Sequence, residues 1–275
     1  MTKMPKAGVI GNPIRHSLSP KLHGFWLRKY GIAGEYVAHH VTEDALEKEL
    51  RQLPKRGFVG INVTIPHKVA VLKYADQISD RATLIGAANT LTFHEDGRIL
   101  ADNTDGYGFL ANLKQGAPSW DPKAGPAAIF GAGGAARAII VALAEEGVPE
   151  IYLSNRTRPK AEALKAEFGT RIQVVDWVQA DQMVHEAATV INTTSLGMRG
   201  AAPFRVNLDG MRPDAVVNDL VYNPLQTEFL KSAAARGCKV VDGLGMLLHQ
   251  GVPGFERWFG QRPIVDDETR NAVLA

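Results

Sequence analysis

Three polar clusters hold the side chains able to do chemistry, and each stands where an apolar strand pattern stops. The first is Arg15-His16-Ser17-Leu18-Ser19-Pro20, which follows the short run Ala7 to Gly11 and the breaker Asn12-Pro13. Two hydroxyls on such a loop can donate to an anion. Ser19 is equally suited to N-cap a helix whose first position is Pro20. The second cluster is Asn62, Thr64 and Lys68, at the end of the strand pattern Phe58 to Val63. Pro66 removes a ladder donor, so the strand must stop there and a helix can begin. A lysine in a first helical turn opposes the helix dipole, a misfit that a lysine doing chemistry would explain and a solvated one would not need. The third cluster is Asp102-Asn103-Thr104-Asp105-Gly106, ahead of a helix from Tyr107 to Leu113. Asp105 there is either a reactive carboxylate or a helix cap complementing the dipole; Asp102 reads as structural.

A fourth stretch carries a different chemistry. Ala127-Ala128-Ile129-Phe130 runs into Gly131-Ala132-Gly133-Gly134-Ala135-Ala136, and an Ala-rich helical pattern follows to Glu146. Gly131 permits the tight turn, Gly133 lets backbone approach a pyrophosphate, and Ala136 is small where helix packs on strand. The helix N-terminus offers unpaired N–H groups to phosphate. A glycine triplet by itself is also a plain strand–helix turn. The next strand, Glu150 to Ser154, ends in Asn155-Arg156-Thr157-Arg158, with Lys160 nearby. An NAD site carries an acid there, about 20 residues past the glycines, to accept from the ribose 2′-hydroxyl. Two guanidinium groups and no carboxylate suit a 2′-phosphate, so the cofactor expected is NADP (or NADPH).

These clusters need elements to hold them. Strand patterns recur at Glu35 to Val41, Ala87 to Phe93, Ile99 to Ala101, Ile172 to Val175, Thr189 to Asn192, Ala215 to Leu220 and Lys239 to Val241. Glu95-Asp96-Gly97-Arg98 reads as a hairpin turn, and Glu43 to Leu53 and Met246 to Trp258 have helical spacing. Strands alternating with helices predict an α/β protein with a parallel, doubly wound sheet. At 275 residues the chain fits one large or two modest domains. The linker-like Gln115 to Gly125 precedes the glycine turn.

Composition excludes several classes. A net charge of +2 with no basic stripe gives no footprint for nucleic acid. One cysteine, Cys238, excludes a disulfide framework and fits a reducing, cytoplasmic compartment. Met1-Thr2-Lys3-Met4-Pro5 lacks a signal-peptide core, and no apolar run approaches the roughly 20 residues of a membrane span. His39 and His40 adjoin on a strand and so face opposite ways, and no His or Cys spacing matches a zinc pattern, so no metal is expected.

Taken in order, these stretches resemble the shikimate dehydrogenase family. The resemblance runs through His16-Ser17-Leu18-Ser19-Pro20, Asn62-Val63-Thr64-Ile65-Pro66-His67-Lys68, Gly86-Ala87-Ala88-Asn89-Thr90 and Asn103-Thr104-Asp105-Gly106. It continues through Gly131 to Ala135, Asn155-Arg156-Thr157, Asn192-Thr193-Thr194-Ser195 and Asp242-Gly243-Leu244-Gly245-Met246-Leu247. It implies two α/β domains: a substrate domain of residues 1–106 plus 244–275 and an NADP-binding Rossmann domain of residues 107–243. By that resemblance Lys68 and Asp105 form a catalytic pair beside the hydroxyl that becomes a ketone. Ser17 and Ser19 hold the substrate carboxylate, and Asn62, Thr64, Asn89, Tyr222 and Gln250 complete the polar cradle. Cofactor contacts are implied at Gly131, Ala132, Gly133, Gly134, Ala135, Asn155, Arg156, Thr157, Arg158, Thr193, Ser195, Leu220, Gly243 and Met246. One departure stands out: the family's His-Asn is here His23-Gly24.

The reaction implied is NADP-dependent, reversible reduction of 3-dehydroshikimate to shikimate, in aromatic amino-acid biosynthesis. A lysine can stabilise alkoxide charge and relay the proton while a carboxylate fixes its position. Either residue could make the transfer. The closest competing expectation is a quinate/shikimate dehydrogenase, broader in substrate or cofactor, which the Arg156/Arg158 pair opposes. A catalytically inert NADP-binding regulator would have lost Lys68 or Asp105. A tetrahydrofolate-linked dehydrogenase would not need the serine loop. The expected partner is the small-molecule substrate, with no nucleic acid or membrane, in a monomer or homodimer.

Overall fold

A computed structural model of the chain describes residues 4–275; Met1 to Lys3, part of the reading of the N-terminus, lie outside the described residues. Packing divides the chain into two compact units, Met1–Gly108 with Leu247–Ala275, and Phe109–Met246. The breaks fall within the helices Asp105–Gly116 and Leu244–Phe259 rather than at their starts.

The first unit is built on a six-stranded sheet of β1 (Lys6–Gly11), β2 (Glu35–His40), β3 (Gly60–Val63), β4 (Gln77–Ile78), β5 (Thr90–Phe93) and β6 (Ile99–Asp102). Its order is β2-β1-β3-β5-β6-β4. The sheet is mixed, not wholly parallel: β5 runs antiparallel to both β3 and β6. The Glu95–Arg98 turn is the reason, since a short hairpin can only join antiparallel neighbours. Ile10, Ile61, Val63, Leu91 and Ala101 from the strands meet Leu46, Leu50 and Leu53 in one buried core. The helix Ser19–Lys29 ends at Gly31, whose φ of +63° closes it.

The second unit carries β7 (Ala127–Phe130), β8 (Ile151–Ser154), β9 (Ile172–Val174), β10 (Thr189–Asn192), β11 (Val216–Asp219) and β12 (Lys239–Val241). The order is β12-β11-β10-β7-β8-β9 and every pairing is parallel. This is the doubly wound order with its switch point between β7 and β10, the place where such sheets bind ligands. The strands are short apolar runs because both faces are covered by helices. The helix Gly134–Glu146 buries Ala136, Ile139, Ile140 and Leu143 against them.

Two further local readings need correction. Leu18, not Ser19, is the N-cap residue of the first helix, and it offers no side-chain cap. The Ser17 hydroxyl instead accepts the Ser19 N–H at 3.3 Å, so the hydroxyl of Ser19 is left for another partner. Lys68 is not in an α-helical turn either. It lies on a turn after the cis Ile65–Pro66 bond, just ahead of a short 3₁₀ segment at Ala70–Tyr74. Among the described residues no helix is long and apolar enough to cross a membrane.

Candidate active site

One segment, Gly86 to Thr90, holds Lys68 and Asp105 in place. The Ala88 N–H donates to the Lys68 carbonyl at 2.8 Å, fixing the turn that carries the lysine. The Ala87 carbonyl accepts from Asn103 Nδ2 at 2.8 Å, and Asn103 Oδ1 in turn accepts the Asp105 N–H at 3.0 Å. Asn89 completes the frame, donating through Nδ2 to Asp105 Oδ1 at 2.9 Å. Lys68 Nζ meets the other oxygen, Asp105 Oδ2, at 2.5 Å. The lysine side chain is 13% exposed and the aspartate 4%, so the pair is far drier than a surface ion pair. A solvated helix residue this is not.

The cradle around the pair is closed by hydrogen bonds within the first unit. Asn89 Nδ2 also faces Gln250 Oε1 at 3.1 Å, and the Thr104 hydroxyl donates to the Gln250 carbonyl at 2.8 Å. Gln250 Nε2 donates to the Leu247 carbonyl at 2.9 Å. Asn62 is buried, and its amide donates to the Asn89 carbonyl at 3.1 Å and to Thr90 Oγ1 at 3.3 Å. Its Oδ1 accepts from the Tyr36 hydroxyl at 2.7 Å. Every polar atom of the Asn62 side chain is therefore engaged by protein, and its place is in the wall. Ser19 is buried, Ser17 and Thr64 are half-buried, and Lys68, Asp105, Asn89, Asn62 and Gln250 form one bonded cluster. Tyr222 belongs to the second unit, half-buried on the segment after β11 and ahead of the cis Asn223–Pro224 bond.

Asn103, Thr104 and Tyr36 are structurally involved here beyond the expected site residues. Asn103 and Thr104 sit in the polar cluster beside Asp105 and offered that much signal. Tyr36 lies in a weakly alternating strand and offered none.

In the second unit the glycine turn stands at the switch point. Gly131 has a φ of +113°, and a Cβ there would lie 2.4 Å from Thr193 Oγ1. Thr193 donates to the Phe130 carbonyl at 2.8 Å, locking the β10 loop against the turn. Gly133 is the N-cap of its helix and exposed, no side chain caps it, and a Cβ there would meet nothing within 4 Å. Ala132, Gly134 and Ala135 are half-buried around it, and Ser195 is exposed beyond β10. Gly243 approaches the Leu220 carbonyl so closely that a Cβ would come within 2.3 Å of it. Met246 is buried in the core of this unit, packed with Phe109 and Leu113.

The two arginines differ. Arg158 opens the helix Arg158–Phe168 and is ion-paired to Glu162 at 2.8 Å and to Asp176 at 2.6 Å. Arg156 is exposed and, among the described residues, has no acidic partner. Asn155 Nδ2 donates to the Thr157 carbonyl at 2.9 Å, which shapes the loop between them. Among the described residues no group of three or more His, Cys, Asp or Glu side chains is placed to hold a metal.

A glycine turn at the switch point of one unit and a buried Lys–Asp pair in the other define a two-domain α/β protein of dinucleotide-binding type. Residues 9–91 match the model of the shikimate dehydrogenase substrate binding domain, 118–198 that of shikimate/quinate 5-dehydrogenase, and 243–267 that of the shikimate 5′-dehydrogenase C-terminal domain. Shikimate dehydrogenase (NADP(+)) of Cereibacter sphaeroides is 61% identical over 275 residues, all of this chain and 99% of that one. The protein of the same name from Paracoccus denitrificans is 62% identical over 98% of this chain and 96% of its own. The chain belongs to the shikimate dehydrogenase family. Among solved structures, shikimate 5-dehydrogenase of Thermus thermophilus in complex with NADP(H) and shikimate has a TM-score of 0.87 at 38% identity, covering 98% of this chain and 99% of that one. Quinate dehydrogenase of Corynebacterium glutamicum in complex with NAD has a TM-score of 0.89 at 30% identity, covering 98% of each chain.

Proposed function

We propose that this chain is an NADP-dependent shikimate dehydrogenase, reducing 3-dehydroshikimate reversibly to shikimate. The observation that carries the reading is the Lys68–Asp105 pair at 2.5 Å, nearly buried and held at both ends by one segment. Lys68 and Asp105 are the catalytic residues. The ammonium stabilises charge on the carbinol oxygen and sits where a proton can be passed to or from it. Asp105 keeps the ammonium charged and aimed, and its bond from Asn89 stops the carboxylate turning away. Ser17 and Ser19 donate to the substrate carboxylate, while Thr64, Asn89, Gln250 and Tyr222 orient the ring hydroxyls. Asn62 serves the same site as its wall. The N-terminal unit with the returning C-terminal helix is the substrate domain, and the intervening unit holds the cofactor.

The residues present fit NADP. The uncapped helix N-terminus behind Gly133 offers N–H groups to the pyrophosphate, and the open space at Gly133 leaves room for it. Ala132, Gly134 and Ala135 line that turn. Asn155, Arg156 and Thr157 take the 2′-phosphate, with Arg156 the principal charge and Arg158 set back by its own ion pairs. Thr193 and Ser195 follow β10 at the switch point, Leu220 and Gly243 follow β11 and β12 beside it, and Met246 supports them from the core. The cofactor, when bound, supplies or accepts the hydride.

A quinate-oxidising, NAD-using enzyme shares the fold, as the Corynebacterium structure demonstrates. Arg156, without an acidic partner among the described residues, and the lack of an acid at the end of β8 favour NADP instead. Absorbance of reduced nicotinamide tests the choice, with shikimate or quinate supplied against NADP or NAD. Oxidation of shikimate with NADP is expected to exceed the other three pairings; a preference for quinate with NAD overturns the proposal. We place the enzyme in the cytoplasm, as a monomer or homodimer.

A further inference from the structure

We infer that Asp219 is a positioning residue for the nicotinamide half of the cofactor, acting through Asn192 on the loop after β10. The inference rests on the function proposed above. Asp219 ends β11 and Asn192 ends β10; the two are register partners in the sheet, and both are fully buried. The Asp219 carboxylate accepts three hydrogen bonds. Its Oδ1 takes Asn192 Nδ2 at 2.9 Å and the Val221 N–H at 3.0 Å, and Oδ2 takes the Thr227 hydroxyl at 2.7 Å.

Asn192 passes that anchorage to the loop. The other hydrogen of its Nδ2 goes to the Leu196 carbonyl at 3.1 Å. Its Oδ1 accepts the Thr194 N–H at 3.0 Å and the Thr194 hydroxyl at 2.7 Å. Thr194 Oγ1 in turn accepts the Leu196 N–H at 3.0 Å. The loop that carries Thr193 and Ser195 is therefore wrapped round one side-chain amide. Turned end for end, that amide would set its hydrogens against the Thr194 N–H, donor against donor. An ionised carboxylate only accepts, so Asp219 holds the nitrogen end on its own side and the oxygen end on the loop. None of the three donors to Asp219 is a cation, so its charge is buried at a cost that a packed apolar residue would avoid. Burial pushes the Asp219 pKa up to about 6 while the three bonds act downward, which leaves the carboxylate ionised at neutral pH.

The sheet order indicates which part of the cofactor this loop serves. In the order β12-β11-β10-β7-β8-β9, the pyrophosphate turn follows β7 and Arg156 follows β8. With the 2′-phosphate beyond β8 and the pyrophosphate beyond β7, the nicotinamide half extends the other way, toward β10. Calorimetric titration without substrate, using NADP and adenosine 2′,5′-bisphosphate, separates the two halves. Asp219→Ala is expected to raise the NADP Kd about tenfold, as for loss of one hydrogen bond to a charged group. The bisphosphate, which lacks the nicotinamide riboside, should bind within about twofold of wild type. Asp219→Asn keeps an oxygen for Asn192 and Val221, and should restore most of the NADP affinity. Asn192→Ala removes the relay, should show the same selective loss, and serves if Asp219→Ala does not fold. Thr227→Val leaves the relay intact, so it should lower the melting temperature without moving the NADP Kd. A merely structural Asp219 predicts an unchanged NADP Kd in folded Asp219→Ala, or equal losses for both ligands; either overturns the inference. So does an Asp219→Asn variant as weak as Asp219→Ala. A wild-type protein that binds neither ligand removes the parent reading, and this inference with it.

Discussion

Lys68 Nζ lies 2.5 Å from Asp105 Oδ2, although the two residues are 37 positions apart in the chain. They meet because Ala88 holds the lysine turn, Ala87 holds Asn103 under the aspartate, and Asn89 holds the second carboxylate oxygen. The pair is therefore a unit, and mutagenesis should treat it as one. Lys68→Ala should lower kcat by about 10²–10⁴, the range of acid–base and electrostatic contributions, with a much smaller change in shikimate KM. Asp105→Asn should also lose turnover. The double variant should lose far less than the product of the single losses. Fully multiplying losses would show two independent residues.

The arginines of the nucleotide unit should not be equivalent. Arg156, exposed and without an acidic partner among the described residues, is free to meet a phosphate, and Arg156→Ala should raise the NADP KM about ten- to a hundredfold. Arg158 is already paired to Glu162 and Asp176, so Arg158→Ala should have the smaller effect. Shikimate KM should be indifferent to both. Equal effects would refute the distinction.

Gly131 and Gly133 should separate stability from binding. Gly131→Ala places a Cβ 2.4 Å from Thr193 Oγ1 at a φ of +113°, and should lower the melting temperature. Gly133→Ala meets nothing within 4 Å and has extended backbone, so the fold should tolerate it. The added methyl occupies the approach to the helix N-terminus, and the NADP KM should rise. An NADP KM unmoved by Gly133→Ala would place the pyrophosphate elsewhere.

Acid should act on the two units in opposite senses. Burial lowers the His23 pKa to about 3, so between there and 6.5 the unfolded chain takes a proton that the folded histidine refuses. Stability from this group is full above 6.5 and is lost as pH falls. Burial likewise lowers His39 and His249, in the same unit. Burial raises Asp219 to about 6 despite bonds from Thr227, Val221 and Asn192, so its folded form keeps a proton that the unfolded chain releases near 3.8. Its contribution is full below 3.8 and is lost as pH rises to about 6. From pH 7 to 5, hydrogen-exchange protection should fall in the first unit, while protonation of Asp219 should raise it in the second. Asp219→Asn should flatten the dependence in the second unit; an unaltered pH profile in that variant would refute the assignment.

Gly24 offers a test of helix propensity. It lies inside Ser19–Lys29, and a Cβ there would meet only Arg28 Nη1, at 3.4 Å. Gly24→Ala should stabilise the protein by about 0.5–1 kcal/mol in denaturant unfolding. A loss of stability would mean that the helix needs the gap.

Much of this protein is determined by short stretches acting alone. Short apolar runs specify most of the strands, Gly131 and Gly133 specify the turn at the head of Gly134–Glu146, and the Glu95–Arg98 hairpin specifies an antiparallel pair. Local sterics and burial suffice for these, so residue type and spacing carry them. The position of Ser19 and Lys68 relative to their helices was less legible, because one residue's shift in a cap changes no pattern of burial. Partners were not legible at all. That Arg158 is taken by Asp176, that Asn62 faces inward to Tyr36, and that Ala87 to Asn89 hold both Lys68 and Asp105 depend on contacts between distant segments. Hydrogen bonds are directional and short-ranged, so only the folded sheet, which sets β1, β2, β3 and β5 side by side in register, decides which polar groups meet.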